Sequence, residues 1–303
     1  MTSIISSGTH PKELWPGIKK IGGDTYNEGV PIWAQVFEKA KSDKAFEEYL
    51  ERTSTGLGAI IAEGAGVTYD GTGQGYVTRA TNVVYGLGAI VTQVAIEDNQ
   101  YGSVAARLAK NLARSMRQTK EVVHANILNR AFSSSHVGGD GVCLISTAHP
   151  TVNGTQSNKL TVAADMSEAS LEDAMIQLAD TRDSRGLRIM VREKKLVAAS
   201  ANRWNSTRIL SSTNQSGTAN NDINAMKSEG VFPGGTVIWP YLTDADAWFI
   251  ITDIEDGLIS QQRRAYAFEQ DNDFDTSNAR MKATERYVPF WHDWRCVIGS
   301  EGA

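Results

Sequence analysis

The chain has 303 residues, enough for one large domain or two ordinary ones with a buried core. It carries 35 acidic residues against 30 lysines and arginines, and its 41% apolar and 21% charged residues exclude a disordered chain or a collagen-like fibre. No apolar run approaches the roughly 18 residues needed to cross a bilayer, and the two cysteines are too few for a disulfide framework. We therefore expect a mildly acidic soluble protein of a reducing compartment, with no membrane partner.

The N-terminal segment mixes turn signals with short amphipathic pieces. Trp15-Pro-Gly17 and the Gly22-Gly23 pair interrupt any long apolar period, which predicts an extended arm. A helix is expected to begin near Ser42, a residue type that caps helices. The apolar residues that follow it at helical spacing are Phe46, Tyr49 and Leu50.

Glycines are concentrated between Ser54 and Asn99, a stretch that holds nine of the 27 in the chain. β-branched and aromatic residues fill the gaps, at 67–69 before an Asp70-Gly71 turn and at 76–78 after it. Strand composition on both sides of Asp-Gly predicts a long hairpin. A two-stranded ribbon is marginal alone in water. We therefore expect this one to lie against its own domain or a neighbouring subunit.

The strongest helix signal follows, from about Tyr101 to Phe132, and predicts a long spine helix. Apolar residues recur at spacings of three, four or seven and share one side. They are Tyr101, Ala105, Leu108, Leu112, Met116, Val123 and Ile127. Four cations fall on the opposite side, namely Arg107, Lys110, Arg114 and Arg117. Such a one-sided charge pattern is typical of a solvated or ion-pairing face, and can also track phosphates.

The remainder alternates helix and strand without the regularity of a parallel sheet, so the fold class is α+β. Helices are expected after Ser170 and over about 202–210, and a polar surface loop over 211–221. Strand composition occurs at 187–191, 195–198, 236–241, 247–252, 264–268 and 282–288. The one internal repeat is short: Gly-Leu-Gly-Ala-Ile occurs at Gly56–Ile60 and again at Gly86–Ile90.

A search for chemistry finds no catalytic, cofactor-binding or metal-binding residues. Neither Gly-Leu-Gly-Ala segment completes a dinucleotide-binding fingerprint, and the chain has no P-loop. The five histidines lack zinc-site spacing. Cys143 and His149 could serve a hydrolase as nucleophile and base, but no third orienting residue accompanies them in a recognised order.

Four groups of residues, taken in chain order, carry a resemblance to a known family. They are Tyr85–Tyr101, Leu144–Pro150, Trp239–Phe249 and Gln261–Arg295. They resemble the hairpin-to-spine junction, the start of the next domain, the late core strands and the C-terminal run of tailed-phage major capsid proteins with the HK97-type fold. The likeness is closest to the Mu-like major head subunit branch.

The resemblance implies an HK97-like division of the chain into an arm, an E-loop hairpin, a P domain and an A domain. The arm would cover 1–54, the E-loop 55–97, the spine helix and following loop of the P domain 98–144, the A domain 145–255, and the C-terminal strands that complete the P domain 256–303. The E-loop tip, an expected assembly contact, would be Asp70, Gly71, Gly73 and Gly75.

The function implied is that of a structural major capsid protein and not an enzyme. Copies would assemble as pentamers and hexamers into an icosahedral shell around phage double-stranded DNA, in the virion and, during assembly, in the bacterial cytoplasm. Expected partners are further copies, a portal, scaffolding and decoration proteins, and DNA bound without sequence specificity. An encapsulin-like compartment enclosing a cargo enzyme is the alternative shell, and the Cys143/His149 hydrolase is the alternative from another class.

Overall fold

A computed structural model describes residues 15–92, 94, 101–215, 222–272 and 278–303. The start of the predicted arm, much of the predicted hairpin-to-spine junction and part of the predicted 211–221 loop lie outside these residues. The helices are α1 (Trp15–Tyr26), α2 (Trp33–Val36), α3 (Tyr101–Asn129), α4 (Glu168–Ala179), α5 (Arg203–Ser211) and α6 (Ala225–Glu229). The mixture of these helices with antiparallel and parallel strands confirms the α+β class.

The strands form two four-stranded sheets and two smaller ones. The first sheet has the order β1 (Glu38–Lys41), β10 (Leu258–Asn272), β11 (Ala279–Trp291), β4 (Val83–Val91). The second has the order β12 (Val297–Ser300), β9 (Trp248–Thr252), β7 (Glu193–Ala198), β8 (Thr236–Ile238). The smaller pairs are β2 (Phe46–Arg52) with β3 (Gln74–Thr81), and β5 (His149–Thr151) with β6 (Gly154–Gln156).

Helix α3, which we call the spine helix, begins at the predicted residue and ends three residues before the predicted end. Its N-terminal half packs on the first sheet, where Ala105, Leu112 and Met116 share a core with Phe268 and Met281. Its last turns join a different core. That core contains Ala125 and Leu128 of the spine helix together with Trp239, Phe249 and Val297. One amphipathic helix therefore connects the two sheets.

The extended arm predicted for the N-terminal segment is wrong over residues 15–26, which form α1. This helix packs against the spine helix and β10, with the rings of Tyr26 and Tyr266 stacked 4.2 Å apart. A Cβ at Gly22 would lie 3.6 Å from the ring of Phe268. Residues 15–26 therefore pack on the body of the subunit and do not form an extended arm.

The helix predicted from Ser42 is also wrong, because residues 46–52 form strand β2. Its partner is β3, so Tyr49 lies opposite Thr78 and its ring contacts Phe290 at 5.0 Å. Ser42 accepts a hydrogen bond from the Asn82 side chain at 3.2 Å and caps no helix. Pairing with residues that lie 22–35 positions further along the chain outweighs the local helical spacing.

The predicted hairpin exists and its predicted strand at 76–78 lies in β3, but its other strand and its turn are elsewhere. Its strands are β2 and β3, and the connection over 53–73 contains no strand, so residues 67–69 do not form the predicted one. Residues Val83–Tyr85, which fall within the predicted E-loop of 55–97, belong to β4, which pairs with β11 in the sheet under the spine helix. The ribbon is therefore shorter than expected, and its connecting loop is longer.

The second sheet is covered on both faces. One face packs on the C-terminal end of the spine helix, and the other is covered by α4 and by the segments around α5 and α6. Five of the predicted strands are confirmed by β7–β11. Residues 187–191 form no strand, and Ile189 instead bonds back to Thr181 at 3.0 Å. The predicted C-terminal strands of 256–303 divide between the sheets, since β12 extends the second sheet and not the first.

Candidate assembly surfaces

The connection over residues 53–73, which we call the anchored loop, is fixed at both ends to one turn of the chain, Asp183–Arg185. The Ser54 hydroxyl donates to Asp183 Oδ2 at 2.6 Å. Near the other end of the loop, Asp70 forms an ion pair with Arg185, and the second bond of that pair joins Nη2 to Oδ1 at 3.2 Å. The loop therefore leaves the molecule and returns to it at the same place.

Asp70 also closes the base of the loop on itself. Besides Arg185, its carboxylate accepts the backbone N–H of Gly56 at 2.7 Å. These bonds, with the one from Arg185 the largest cause, lower the pKa of Asp70 to about 2. The ion pair is exposed to solvent, so we expect it to direct the loop more than to stabilise the fold.

The residues predicted for the tip of the hairpin lie where the loop returns to β3. Gly71 follows Asp70 directly, and its N–H bonds back to the Asp70 carboxylate at 2.9 Å. Gly73 donates to the Thr53 hydroxyl at 2.6 Å, which closes the end of the β2–β3 ladder, and Gly75 lies inside β3. The predicted tip is therefore wrong, because the part of the loop beyond its anchors is 57–69.

That outer part of the anchored loop, residues 57–69, carries large apolar side chains that are exposed to solvent. Ile60 is fully exposed, and most of the surface of Tyr69 is accessible. The exposed apolar residues are Leu57, Ile60, Ile61, Val67 and Tyr69. Soluble monomers rarely expose such a concentration of apolar surface, and where it occurs it marks an interaction site.

The four predicted spine cations divide into two groups. Arg107, Lys110 and Arg114 are exposed along the side of the spine helix that faces away from the first sheet. Arg117 is half-buried and donates to the carbonyl oxygen of Glu28, just after α1. Arg117 thus holds the N-terminal segment, whereas the other three form an exposed basic strip.

Sequence reasoning missed a group of polar side chains buried between the spine helix and the first sheet, which we call the spine network. At its centre is Glu285, which has no exposed side-chain surface and forms an ion pair with Lys120. It also accepts hydrogen bonds from the Tyr26 hydroxyl at 2.8 Å and the Gln262 amide at 3.0 Å. The network joins α1, the spine helix, β10 and β11 at one carboxylate.

Two further side chains of the spine helix continue this buried polar layer. Glu121 accepts the backbone N–H groups of Ile32 and Trp33 at 2.7 and 3.2 Å, and the indole N–H of Trp239 at 3.1 Å. His124 donates from Nδ1 to the Lys120 carbonyl at 2.7 Å and accepts from Ser260 at 2.8 Å. Burial lowers the pKa of His124 to about 3.

Comparison with known proteins accounts for this arrangement of a spine helix, a projecting loop and two sheets. The sequence profile of a family described as phage capsid protein matches residues 75–300, which is most of the chain and includes both four-stranded sheets apart from β1. The chain belongs to the phage capsid protein family. No curated protein matches it in sequence.

Solved structures show the same fold for this capsid protein at low sequence identity. The capsid of cyanophage P-SCSP1u aligns with a TM-score of 0.59 at 9% identity, over 90% of this chain and 88% of that one. The capsid of an empty GTA particle gives 0.54 at 14% identity, over 91% and 92%. The procapsid of bacteriophage JBD30 gives 0.53 at 16% identity, over 96% and 74%. The predicted HK97-like capsid fold is confirmed.

The family is structural, which confirms the prediction that this capsid protein is not an enzyme, and the hydrolase alternative is wrong. The geometry gives the reason. His149 is fully buried, with Nδ1 2.6 Å from Asp140, Nε2 3.1 Å from Asn158 and its ring stacked on Trp294. The Cys143 thiol donates to the Ile145 carbonyl at 3.3 Å. Both imidazole nitrogens are already bonded, so His149 is a structural residue.

The described residues of this capsid protein contain neither a metal-binding cluster nor a membrane-spanning helix. Within the described residues, no group of three or more His, Cys, Asp or Glu side chains could hold a metal ion. The helices in the described part of the chain are all too short or too polar to cross a membrane.

Proposed function

We propose that this chain is the major capsid protein of a tailed phage of the Mu-like branch, and that it forms pentamers and hexamers that close into an icosahedral shell around double-stranded DNA. Family membership carries the capsid role. The observation that supports assembly through the loop is the apolar surface that the anchored loop exposes beyond its two anchors. Many such contacts, repeated by symmetry, would sum to a stable closed shell.

The division of the chain into an arm, an E-loop, a P domain and an A domain is part of this proposal. The β2–β3 hairpin with the anchored loop corresponds best to the E-loop, which would extend from about 46 to 81. The first sheet and the spine helix would form the P domain, and the second sheet with α4–α6 the A domain. A portal, scaffolding protein and decoration protein are further proposed partners, with assembly in the host cytoplasm.

The exposed basic strip of the spine helix is the proposed contact with packaged DNA. Arg107, Lys110 and Arg114 recur at every third or fourth residue, so they line one side of the helix and could follow a phosphate backbone. None of the three has an ion-pair partner among the residues that the structure describes. Contact with phosphates requires no base recognition, which fits packaging without sequence specificity.

Assembly of the purified protein tests the proposal. Sedimentation and electron microscopy should show capsomers or closed shells, with scaffolding protein supplied where the chain alone stays unassembled. A protein that remains monomeric under every condition would overturn the shell function. Shells that contain a protein cargo and no DNA would favour the encapsulin-like alternative.

The DNA contact is tested on the same particles. Replacing Arg107, Lys110 and Arg114 by Gln should lower the dependence of DNA binding on salt, by about 0.9 in log–log slope for each phosphate that is no longer neutralised. The matched control replaces three exposed cations of the second-sheet region, Arg203, Arg208 and Lys227. An unchanged slope with the spine variant would instead assign the strip to an interface between copies.

A further inference from the structure

The two edges of the first sheet are protected very differently. Strand β1 at one edge is four residues long and reads Glu-Lys-Ala-Lys, so charged side chains guard it. Strand β4 at the other edge is nine residues long and has no charged residue and no proline. Natural sheets normally protect an edge with lysines, prolines or bulges, since an open edge offers unpaired N–H and C=O groups to any other strand.

The outer edge of β4 is open in the isolated chain. It pairs with β11 on one side only, and the described residues supply no strand on its other side. Val84 and Ile90 are more than half exposed on the face away from the spine helix, and Leu87 is nearly half exposed on the other face. A long, apolar, unprotected edge of this kind is a site for strand addition.

The anchored loop contains a segment with the sequence of this same strand. Residues 56–61 read Gly-Leu-Gly-Ala-Ile-Ile, and residues 86–91 of β4 read Gly-Leu-Gly-Ala-Ile-Val. The second copy of the motif is a strand in a sheet, whereas the first lies in the open loop without a ladder. The loop segment therefore has the composition of an edge strand but joins no sheet among the residues that the structure describes.

The glycines support the same conclusion. In β4 a Cβ at Gly88 would come within 3.2 Å of the Met281 carbonyl oxygen, so the neighbouring strand leaves little room for a side chain there. At Gly58, the matching position of the loop, no described atom lies within 4 Å of where a Cβ would be. The isolated chain gives no steric reason for that glycine, whereas a strand packed beside it would supply one.

We propose that residues 56–61 of one copy add as a further strand to the open edge of β4 in a second copy. The inference rests on the proposed shell function and names the place where the loop binds. A second copy is the occupant because segment and edge are both exposed within one chain. The segment is also uncharged, like the edge that would receive it. Backbone bonds would give the affinity, and Leu57, Ile60 and Ile61 would be buried with them.

Hydrogen exchange of unassembled and assembled wild-type protein, measured by mass spectrometry, tests the pairing directly. Amides of 56–61 and the outward-facing amides of β4 should exchange at least about tenfold more slowly after assembly, because both enter a backbone ladder. Protection that appears elsewhere but in neither segment would overturn the strand pairing.

Lysine substitutions test the same interface by assembly rate. Ile60→Lys in the loop and Ile90→Lys in β4 should each slow assembly about tenfold or more, since a lysine on an edge opposes strand addition. Ile176→Lys, at a position of α4 about as exposed as Ile90, is the matched control and should assemble like the wild type. All three positions are exposed, and circular dichroism should show that the variants fold normally.

The outcomes separate this inference from the function on which it rests. Wild-type protein that never assembles would overturn the shell function, and the strand pairing would fall with it. Shells that form at the wild-type rate from both Ile60→Lys and Ile90→Lys would overturn the pairing alone. Slow assembly of these two variants beside a normal Ile176→Lys control would support it.

Discussion

The spine network and the anchored loop differ in whether their side chains are buried with partners or exposed to solvent. Beneath the spine helix, a carboxylate that is fully buried finds a cation and two hydrogen-bond donors within its own chain. In the anchored loop, large apolar side chains remain exposed to solvent. The comparison separates what one subunit satisfies alone from what it leaves for its neighbours. Variants in each region should therefore fail in different measurements.

Breaking the spine network should have the largest effect on the isolated subunit. Lys120→Met leaves the Glu285 charge buried without its cation, which we expect to lower the free energy of unfolding by about 3–5 kcal/mol. Denaturant unfolding of the unassembled protein measures this decrease.

A matched control lies on β11, the strand of Glu285, but on its opposite face. Lys282 pairs with Glu269 at 2.9 Å, and both side chains are more than half exposed. Lys282→Met should change the free energy of unfolding by less than about 1 kcal/mol. Equal decreases from the two substitutions would contradict the view that burial makes the Lys120–Glu285 pair important.

The elements that sequence predicts well here are those whose pattern is local. The spine helix repeats its apolar positions over eight turns, so its start at Tyr101 and its buried side follow from spacing alone. The alternation along β11 is just as regular, from Ala279 to Tyr287. That alternation also places Glu285 on the inner face, between Ala283 and Tyr287, and is the one signal that could have revealed the spine network.

The elements that sequence predicts badly depend on partners far along the chain. Asp70-Gly71 has the composition of a hairpin turn, but Asp70 is held by Arg185, which lies 115 residues away. Phe46 and Tyr49 have helical spacing, but their strand is held by β3. Lys120 looks like another exposed cation until Glu285, 165 residues away, is placed beside it. No local pattern carries such information.

The stability of the isolated subunit should also depend on pH, since His124 is buried in the polar layer of the spine helix. Burial lowers its pKa from 6.5 to about 3, so the unfolded chain binds a proton that the folded chain excludes. The contribution of neutral His124 to stability is complete above about pH 6.5 and is lost as the pH falls towards 3, at up to about 1.4 kcal/mol per pH unit.

His124→Gln should flatten that part of the stability curve. The measurement is the free energy of unfolding between pH 7 and about pH 3.5 for the wild type and the variant. His136→Gln is the control, because His136 is exposed in the loop after the spine helix and should leave the curve unchanged. Parallel curves for wild type and His124→Gln would show that His124 does not take up the proton on unfolding.

The smallest effect on stability should come from the anchors of the loop, and here the change should appear in local motion. Asp70→Asn removes the charge that pairs with Arg185 and weakens the hydrogen bond with Gly56. Because this ion pair is exposed, we expect thermal unfolding to be unchanged, while limited proteolysis within 57–69 becomes about two- to fivefold faster. Glu63→Gln, which removes an exposed carboxylate from the same loop, should leave the cleavage rate unchanged.

Charge reversal shows whether faster cleavage comes from loss of the Asp70–Arg185 ion pair or from any substitution at Asp70. Asp70→Arg alone should speed cleavage, and adding Arg185→Asp should restore a slow rate, because the pair is rebuilt with its charges exchanged. The wild-type anchor should also weaken on acidification, since the pKa of Asp70 is lowered to about 2 and its charge is lost only as the pH falls through that value. A cleavage rate that is unaffected by the charge reversals and by acidification would mean that the Ser54–Asp183 bond alone holds the loop. The exposed apolar residues would then be directed towards a neighbour by one anchor and not by two.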